Sequence, residues 1–379
     1  MTQQLSPFTV GIEEEYLLVD LETRDLAPDP PAELFERCHA LRGDGQVDRE
    51  LLRPQIEIGT AVCENIGQAR DELQRLRGMI REVSAEYGLA PIAASTHPFA
   101  DWHVQRHTRK ERYDILHRDM AGAARRLLIC GMHQHMGVAD NEMRIRLLNQ
   151  FTYFLPHMLA LSCSSPFWIG EDMGLKSYRL TVFDSLVRAR LPERFSSFGE
   201  YERDVEIMCK GGLMEDPTKI WWDMRPSYRY PTLEMRITDI CTNLEHAISV
   251  GALSVSILRM LERLTRSNRS WQVFPHMLVY ENRWRAMRYS FDEGMLDFSR
   301  AEVRPFIDVL NEMIDLVAED ADALGCREEV ERSRLILEHG TSAHRQLALY
   351  NLALGTGKDS QEALRDVVDW LVEETAKGT

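Results

Sequence analysis

The stretch Phe8-Thr-Val-Gly-Ile-Glu-Glu-Glu-Tyr-Leu-Leu-Val-Asp20 alternates between apolar and polar residues along most of its length, with Glu14 as the polar exception on the apolar side. Strand side chains point alternately to the two faces of a sheet, so Glu13 and Glu15 would stand side by side on one face. Two carboxylates that close repel each other unless a cation lies between them or one takes up a proton. The stretch predicts either a solvated strand face or part of a metal site.

Three further segments show the same alternation, at 50–60, 127–138 and 232–239. In an antiparallel sheet backed by helices, the apolar faces of these strands would pack on the helices, and their polar faces would share the opposite surface. Added to Glu13 and Glu15, the residues predicted to meet there are Glu57, His133, His135, Glu234 and Arg236. This convergence favours the metal site over the solvated face.

The composition excludes several classes of protein. With 44% hydrophobic and 28% charged residues among 379, the chain is typical of a globular protein. A formal net charge of −15 argues against non-specific binding to nucleic acid, which needs a basic surface. The sequence shows no signal-peptide pattern and no apolar run of membrane-spanning length. Seven scattered cysteines without a C-x-x-C pair fit reduced thiols, so we expect a cytoplasmic protein.

Strand patterns lie mostly early in the chain and helical patterns late, without regular β-α-β alternation, which predicts an α+β fold. A further buried strand is predicted at 89–95. The predicted helices are 32–41, 65–87, 140–163, 243–267, 301–324, 327–339, 342–353 and 360–376. We expect a single catalytic domain over 1–379, with a strand-rich core at about 1–242, a mostly helical part at about 243–379 and a bend near 290–300.

Acidic strands beside basic loops predict a metal–nucleotide site. Oxygen-rich ligand sets suit Mg²⁺ or Mn²⁺, and Mg²⁺ usually completes its coordination with water and substrate phosphates. The cations that could meet those phosphates are Lys176, Arg179, Arg225, Arg229 and Arg236. Neither a P-loop nor a Rossmann glycine motif is present in the sequence.

Six short motifs follow one another along the chain. They are Gly11-x-Glu13-x-Glu15, Gly131-x-His133-x-His135-x-Gly137, Ser177-Tyr-Arg179, Arg225-Pro-Ser-x-Arg229-x-Pro-Thr-x-Glu234-x-Arg236-x-x-Asp239, Asn282-Arg-Trp-Arg285 and Gly340-Thr-Ser-Ala-x-Arg345. With them the chain resembles the bacterial carboxylate–amine ligases of the glutamate–cysteine ligase type 2 family over nearly its whole length.

The resemblance implies a glutamine-synthetase-like catalytic fold, in which a curved antiparallel sheet backed by helices holds ATP and Mg²⁺ on its concave face. It assigns metal binding to Glu13, Glu15, Glu57, His133 and Glu234. The expected catalytic residues are Arg236 and Arg179, which would steady oxyanions, and the expected nucleotide-binding residues are Lys176, Arg225, Arg229 and Arg236. His344 stands where an acidic residue is expected, which leaves the role of the 340–346 motif open.

The implied activity is an ATP-dependent carboxylate–amine ligase that forms an amide or peptide bond through an acyl phosphate. Its substrates would be a small carboxylate such as glutamate and an amine, chosen by loops such as 96–112 and 164–180. Neither nucleic acid nor membrane is an expected partner, and the long apolar helices leave room for a homodimer. His135 could assist a metal ligand or pack as a strand histidine. Two alternatives remain open: a zinc hydrolase using His133 and His135, and a catalytically idle binding or scaffold relative.

Overall fold

A computed structural model of the chain describes residues 5, 8–42, 46–108, 110, 113, 115, 118 and 120–379. The strands are β1 (Val10–Asp20), β2 (Val47–Arg49), β3 (Gln55–Gly59), β4 (Leu89–Ile92), β5 (Met132–Gly137), β6 (Phe167–Trp168), β7 (Glu171–Asp172), β8 (Ala189–Arg190), β9 (Trp221–Trp222), β10 (Met224–Pro226), β11 (Thr232–Met235), β12 (Met295–Asp297) and β13 (Glu302–Arg304). The α-helices are Ala32–Arg42, Ile66–Ala85, Gly122–Arg125, Asn141–Phe151, Leu155–Ser162, Arg179–Phe183, Phe198–Lys210, Leu244–Arg266, His276–Tyr289, Phe306–Leu316, Ala318–Leu324, Arg327–His339, Ser342–Gly355 and Ser360–Ala376. The loop at 96–112, on which substrate choice is expected to depend, lies partly outside the described residues.

Strand β1 is the centre of an antiparallel sheet that has seven strands among the described residues. The order is β10-β11-β5-β1-β3-β2, and β4 also pairs with β1. β5 pairs with the first residues of β1, β3 with its middle and β4 with its last residues. Because a shift of one residue would exchange the two faces of a strand, this register decides which side chains share a surface.

The apolar face of the sheet packs on the long helix Leu244–Arg266. Gly251 of this helix approaches β1 and β5, and a Cβ built on it would lie 3.7 Å from Ile12 Cδ1. The Gln134 side chain, which belongs to the same face, donates a 2.9 Å hydrogen bond to the Gly251 carbonyl. Among the described helices, this one alone is long and apolar enough to cross a membrane, and most of it is buried inside the protein, as in a core helix.

Glu14, the polar exception in β1, is buried beneath the sheet with Arg77 of helix Ile66–Ala85. Arg77 Nη2 lies 2.6 Å from Glu14 Oε1, and Arg77 Nε lies 2.9 Å from Glu14 Oε2. The remaining donors of the guanidinium reach the carbonyls of Cys241 and Thr242, each at 2.9 Å. The side chain of Glu14 therefore points away from the face that carries Glu13.

Two predicted helices are interrupted in the structure, and two observed helices, Phe198–Lys210 and His276–Tyr289, were not predicted. The helix predicted over 140–163 is capped by Asp140 but divides into Asn141–Phe151, a 3-10 turn at Thr152–Phe154 and Leu155–Ser162. Pro156 explains the division, because a proline offers no amide hydrogen to the helical ladder and its ring clashes with the preceding turn.

The helix predicted over 301–324 begins only at Phe306, after Pro305, and is interrupted at Val317. Residues 302–304 instead form β13, which pairs with β12, a strand inside the predicted bend near 290–300. By contrast, the helices predicted at 327–339 and 360–376 have the predicted bounds. The division into one catalytic domain with a strand-rich and a helical part stays a prediction.

Candidate active site

Neighbouring strands place the predicted acidic residues and histidines on one face of the sheet. In the registers of β1, Glu13 lies opposite His133 of β5, and Glu15 lies opposite Glu57 of β3. β11, on the other side of β5, adds Glu234. The convergence predicted from the four alternating segments is therefore present in the structure.

Glu13, Glu57 and His133 form a compact group of potential metal ligands. One ligand atom from each lies within 4.8 Å of the others. His133 is buried, with Nδ1 3.5 Å from Glu13 Oε2, whereas both carboxylates are partly accessible. Two carboxylates and an imidazole suit a hard divalent cation such as Mg²⁺ or Mn²⁺. The structure thus brings three of the five predicted ligands together.

Glu15 lies at the side of this group. Its Oε1 is 3.9 Å from His133 Nε2, and its Oε2 accepts a 2.7 Å hydrogen bond from the Gly131 amide. Burial and repulsion by Glu50 raise the pKa of the Glu15 carboxyl to about 7. Removal from water disfavours the charged carboxylate more than the nearby Arg179 and Arg236 favour it. Glu15 therefore has a protonation state that a bound cation would change.

Glu50 is a carboxylate of this face that the sequence analysis did not single out. It follows directly after β2, shares a hydrogen bond with Glu57, and together with burial raises the pKa of Glu57 well above its usual value. The Tyr113 hydroxyl donates a 3.4 Å hydrogen bond to it. Because Glu50 lies beyond the end of β2, strand alternation does not reveal it. The signal would have been the β2–β3 pairing, in which Asp48 lies opposite Glu57.

The two strand histidines have opposite electrostatic surroundings. Burial and the nearby Arg236 lower the pKa of His133 to about 4, so its ring is neutral and able to bind a cation. Burial also opposes the charge of His135, but a hydrogen bond with Glu13 raises its pKa above the usual value. His135 Nε2 is 3.3 Å from Glu13 Oε1, and its Nδ1 is 2.9 Å from Thr232 Oγ1. His135 therefore contacts a predicted ligand and is positioned to orient it.

Glu13 remains ionised in this arrangement. Burial alone would raise its pKa, but hydrogen bonds with both histidines hold the pKa well below its usual value. The ionised Glu13 therefore lies beside Glu15 and Glu57, whose ionisation is suppressed. A divalent cation would relieve this repulsion.

Glu234 is held by two arginines and does not belong to the three-residue group. Arg225, directly opposite on β10, contacts the two carboxylate oxygens at 2.8 and 2.9 Å, and Arg236 contacts Oε1 as well. Burial would raise the pKa of Glu234, but Arg236 and Arg225 hold it well below its usual range. Its predicted metal contact, and the predicted phosphate contact of Arg225, would require these ion pairs to rearrange and stay predictions.

Arg179 is buried at the end of the sheet, against Gly131. A Cβ on Gly131 would lie only 2.3 Å from Arg179 Nη2, so glycine is required for this close approach. The guanidinium donates to the carbonyls of Arg236 and Ile237 at 3.2 and 3.3 Å. Asp239 holds the loop that delivers Arg179, through the hydroxyls of Ser165 and Ser177 at 2.8 and 2.9 Å.

The other two predicted phosphate-binding cations lie farther out. Lys176 Nζ is 3.3 Å from Asp292 Oδ2, so its charge is already paired. Arg229 is exposed in the turn between β10 and β11. The adjacent Tyr230 packs edge-on against His135, with 5.8 Å between ring centroids. The turn therefore borders the acidic face, although the structure does not bring Arg229 into the ligand group.

Comparison with known proteins shows the family of this chain. The profile of the glutamate-cysteine ligase family 2 matches residues 9–370. The chain belongs to this family. A relative from Rhodospirillum rubrum, provisionally named glutamate–cysteine ligase 2, is 54% identical over 97% of this chain and 95% of its own length. A relative of the same name from Paracoccus denitrificans is 50% identical over 97% of each chain.

Two solved structures share the fold. The glutamate–cysteine ligase from Francisella tularensis, in complex with AMP, has a TM-score of 0.68 at 12% identity and covers 99% of this chain and 90% of its own. A bifunctional glutathione synthetase from Pasteurella multocida has a TM-score of 0.66 at 13% identity, over 97% of this chain and 52% of its own. These structures confirm the predicted glutamine-synthetase-like α+β fold.

Family membership also confirms the predicted enzyme class. The chain is an ATP-dependent carboxylate–amine ligase of the glutamate–cysteine ligase type. A fold alone would not establish this, because one fold can carry many activities. The two relatives named above are at least 50% identical to this chain over nearly its whole length. The hydrolase alternative is thereby set aside.

Proposed function

We propose that the acidic face holds Mg²⁺ or Mn²⁺ through Glu13, Glu57 and His133, with Glu15, Glu50 and Glu234 as neighbouring carboxylates. The observation that carries this proposal is the meeting of three ligand atoms within 4.8 Å of one another. The donor set fits the cation, because oxygen ligands dominate and no thiol is among them. When bound, the cation would neutralise phosphate charge.

The phosphates of ATP would meet Arg236 and Arg179 at the same face. The Nε–H group of each guanidinium is buried and has no hydrogen-bond partner among the described residues. A buried donor without an acceptor is costly, and charge-assisted hydrogen bonds to phosphate oxygens would satisfy it. Lys176, Arg225 and Arg229 are the further cations that we propose for the nucleotide.

The reaction follows from the weak electrophilicity of a carboxylate. A substrate carboxylate oxygen attacks the γ-phosphorus of ATP, the bond to ADP breaks, and an acyl phosphate forms. The amine nitrogen then attacks the acyl carbon, phosphate leaves, and the nitrogen loses a proton to give the amide. The arginines would steady the oxygens on which charge develops, and the sheet would hold the reactants in place.

Glutamate as the carboxylate and cysteine as the amine are the substrates that we propose, since the relatives are named for this pair. A cytoplasmic location and a homodimer remain predictions, which fractionation and analytical ultracentrifugation can check. The seven cysteines are unpaired in the structure, as expected for a reducing compartment.

ADP release by the purified full-length chain tests the proposed reaction. We expect release that needs ATP, Mg²⁺, glutamate and cysteine together, and that falls about 100-fold or more in Glu13→Gln and Glu57→Gln. Glu373→Gln is the matched control, because Glu373 is exposed on helix Ser360–Ala376. If no carboxylate–amine pair in a panel supported ADP release, the result would favour the catalytically idle relative.

Isotope transfer separates the acyl phosphate from direct condensation. When the glutamate side-chain carboxylate carries ¹⁸O, one labelled oxygen must appear in the released phosphate. Unlabelled phosphate together with peptide product would contradict the mechanism while leaving the ligase activity intact. Metal removal provides the second check: addition of Mg²⁺ to chelated protein should raise the melting temperature of the parent chain and of Glu373→Gln, but not that of Glu57→Gln.

A further inference from the structure

A polar pocket lies away from the acidic face, where the ends of four helices meet. It has a volume of about 370 Å³. Residues from helices Leu244–Arg266, Arg327–His339, Ser342–Gly355 and Ser360–Ala376 line it together with the segments that precede or follow them. None of the residues proposed for metal or nucleotide binding is among them.

The pocket lies on the helix-bearing side of the sheet. Thr242 lines it, and the Thr242 carbonyl accepts a 2.9 Å hydrogen bond from Arg77. Arg77 in turn pairs with Glu14, which points away from the face of Glu13 and Glu15. A ligand in this pocket would therefore be separated from the acidic face by the sheet.

The charges of the pocket balance, and two of them have no partner. Lys377 Nζ is 2.6 Å from Glu374 Oε2, and Glu374 also accepts a 3.0 Å hydrogen bond from Asn243. Arg345 and Glu338 are both exposed, and within the described part of the chain neither makes an ion pair or a side-chain hydrogen bond. Although both line one pocket, they do not approach within the 4.0 Å of a salt bridge.

The lining favours a ligand that carries both charges. A simple anion would pair with Arg345 but be repelled by Glu338, and a simple cation would pair with Glu338 but be repelled by Arg345. His246 adds no charge near neutral pH, because burial and the adjacent His339 lower its pKa to about 4. The half-buried Trp370 supplies an apolar wall beside these polar groups.

We propose that this pocket binds an apolar amino acid as its zwitterion. The ligand carboxylate pairs with Arg345, its ammonium group pairs with Glu338, and its side chain packs on Trp370. Two helices, Leu244–Arg266 and Ser342–Gly355, begin at the pocket, and the other two end there, so helix ends of both polarities face a ligand that carries both charges. A metal is not the expected occupant, since among the described residues only Glu13, Glu57 and His133 bring three ligand atoms together.

Equilibrium dialysis of the full-length protein with radiolabelled L-phenylalanine, L-leucine and L-methionine, without ATP or metal, tests the proposal. We expect saturable binding of at least one of them at one site per chain. Arg345→Gln and Glu338→Gln should each weaken it about 10- to 100-fold, the effect of losing one charge-assisted hydrogen bond. Arg365→Gln is the control, because Arg365 is an exposed arginine on helix Ser360–Ala376 that does not line the pocket.

Half-ligands, which are compounds that lack one of the two charges of the amino acid, test the proposal without any variant. 3-Phenylpropionate and 2-phenylethylamine each lack one charge of phenylalanine, so each should bind at least about tenfold more weakly. Glu13→Gln should leave the binding unchanged, which separates this pocket from the acidic face. The proposal would be overturned by the absence of saturable binding, by half-ligands that bind as tightly as phenylalanine, or by Arg345→Gln and Glu338→Gln variants that bind as tightly as the parent chain, whatever the outcome of the ligase assay.

Discussion

Gly131 is the residue on which the placement of Arg179 depends. Its missing side chain leaves room for a buried guanidinium that two carbonyls fix in place. The same glycine donates its amide to Glu15. Gly131 therefore contacts both an expected catalytic arginine and an acidic residue of the face. Arg179 packs where a side chain would lie, and Glu15 accepts the backbone amide.

Replacement of Gly131 by alanine should reduce kcat/KM for the ligase reaction about 100-fold, the loss that a misplacement of about 1 Å commonly causes. The new Cβ would meet Arg179 Nη2 at 2.3 Å and force the guanidinium to move. Gly11→Ala is the control on a neighbouring strand, because its Cβ would meet the His135 Cβ at an ordinary 3.6 Å. Equal kinetics of the two variants would show that the contact is unimportant.

The buried pair of Glu14 and Arg77 explains why a charged residue interrupts the apolar face of β1. Arg77→Met should lower the free energy of unfolding by about 3–5 kcal/mol, because it leaves the Glu14 carboxylate buried without its partner. Changing both residues, as Glu14→Leu with Arg77→Met, should recover most of that loss.

Urea unfolding of the single and double variants checks this expectation. Arg75→Met serves as the control, since Arg75 forms an i,i+3 pair with Glu72 on the exposed side of the same helix. That pair is worth at most about 0.5 kcal/mol. A double variant as unstable as Arg77→Met alone would mean that Arg77 acts through its carbonyl contacts with Cys241 and Thr242 instead.

At the scale of an element, helix Ser342–Gly355 explains the unexpected His344. Thr341 and His344 form a capping box, a pair in which the third helical residue is normally Glu or Gln. His344 Nδ1 accepts the Thr341 amide at 3.1 Å, and Nε2 contacts Asp292 Oδ1 at 3.0 Å. The histidine thus performs the capping role of the expected acidic residue. It also contacts the carboxylate that pairs with Lys176.

His344→Ala should lower the free energy of unfolding by about 1 kcal/mol, the usual cost of a lost cap. His344→Gln should recover it, because an amide oxygen can accept the Thr341 amide while its NH₂ group reaches Asp292. Thermal melts of the three proteins measure the difference. If glutamine were as destabilising as alanine, the stacking of His344 on Phe291, at 4.4 Å between centroids, would be the more important contact.

Alternation with a period of two was sufficient to predict the face of the sheet. It puts Glu13, Glu57 and His133 each on the polar face of its strand, and the inference that these strands pair in one antiparallel sheet, which the structure confirms, brings them together. It could not predict that Glu234 is paired with Arg225, since that depends on the register of β10 with β11. Glu50 was missed for a related reason, as it lies past the end of a three-residue strand.

Helical periodicity predicted most of the long helices but not their interruptions, and it did not predict Phe198–Lys210 or His276–Tyr289. The repeat of apolar residues continues through Pro156, where the backbone ladder cannot. The motif order supplied what physical patterns could not, namely the family and hence the use of ATP. No pattern in one sequence predicted the pocket that contains Arg345, because its walls come from four helices whose relative placement is set by tertiary packing.

At the scale of the whole molecule, buried neutral histidines make stability depend on pH. His97 and His157 lie in the interior at 1% exposure, and burial lowers the pKa of each to about 4. Between about pH 4 and pH 6.5 the unfolded chain takes up protons at these residues and the folded chain does not. Stability therefore rises with pH through this window and is lost as the pH falls.

Replacing His157 by phenylalanine should flatten that dependence. His157 is surrounded by rings, including Tyr153 at 5.3 Å and Phe306 at 6.3 Å, so an apolar ring can take its place. Its removal eliminates up to one proton from the difference between the two states, and the slope of unfolding free energy against pH should fall by up to about 1.4 kcal/mol per pH unit. Urea unfolding from pH 4.5 to 6.5 gives the slopes. Tyr153→Phe is the control beside it, because burial raises the pKa of Tyr153 to about 12 and its hydroxyl stays neutral in this range, so the slope should be nearly unchanged. Parallel slopes for the parent and His157→Phe would instead assign the acid sensitivity to carboxylates.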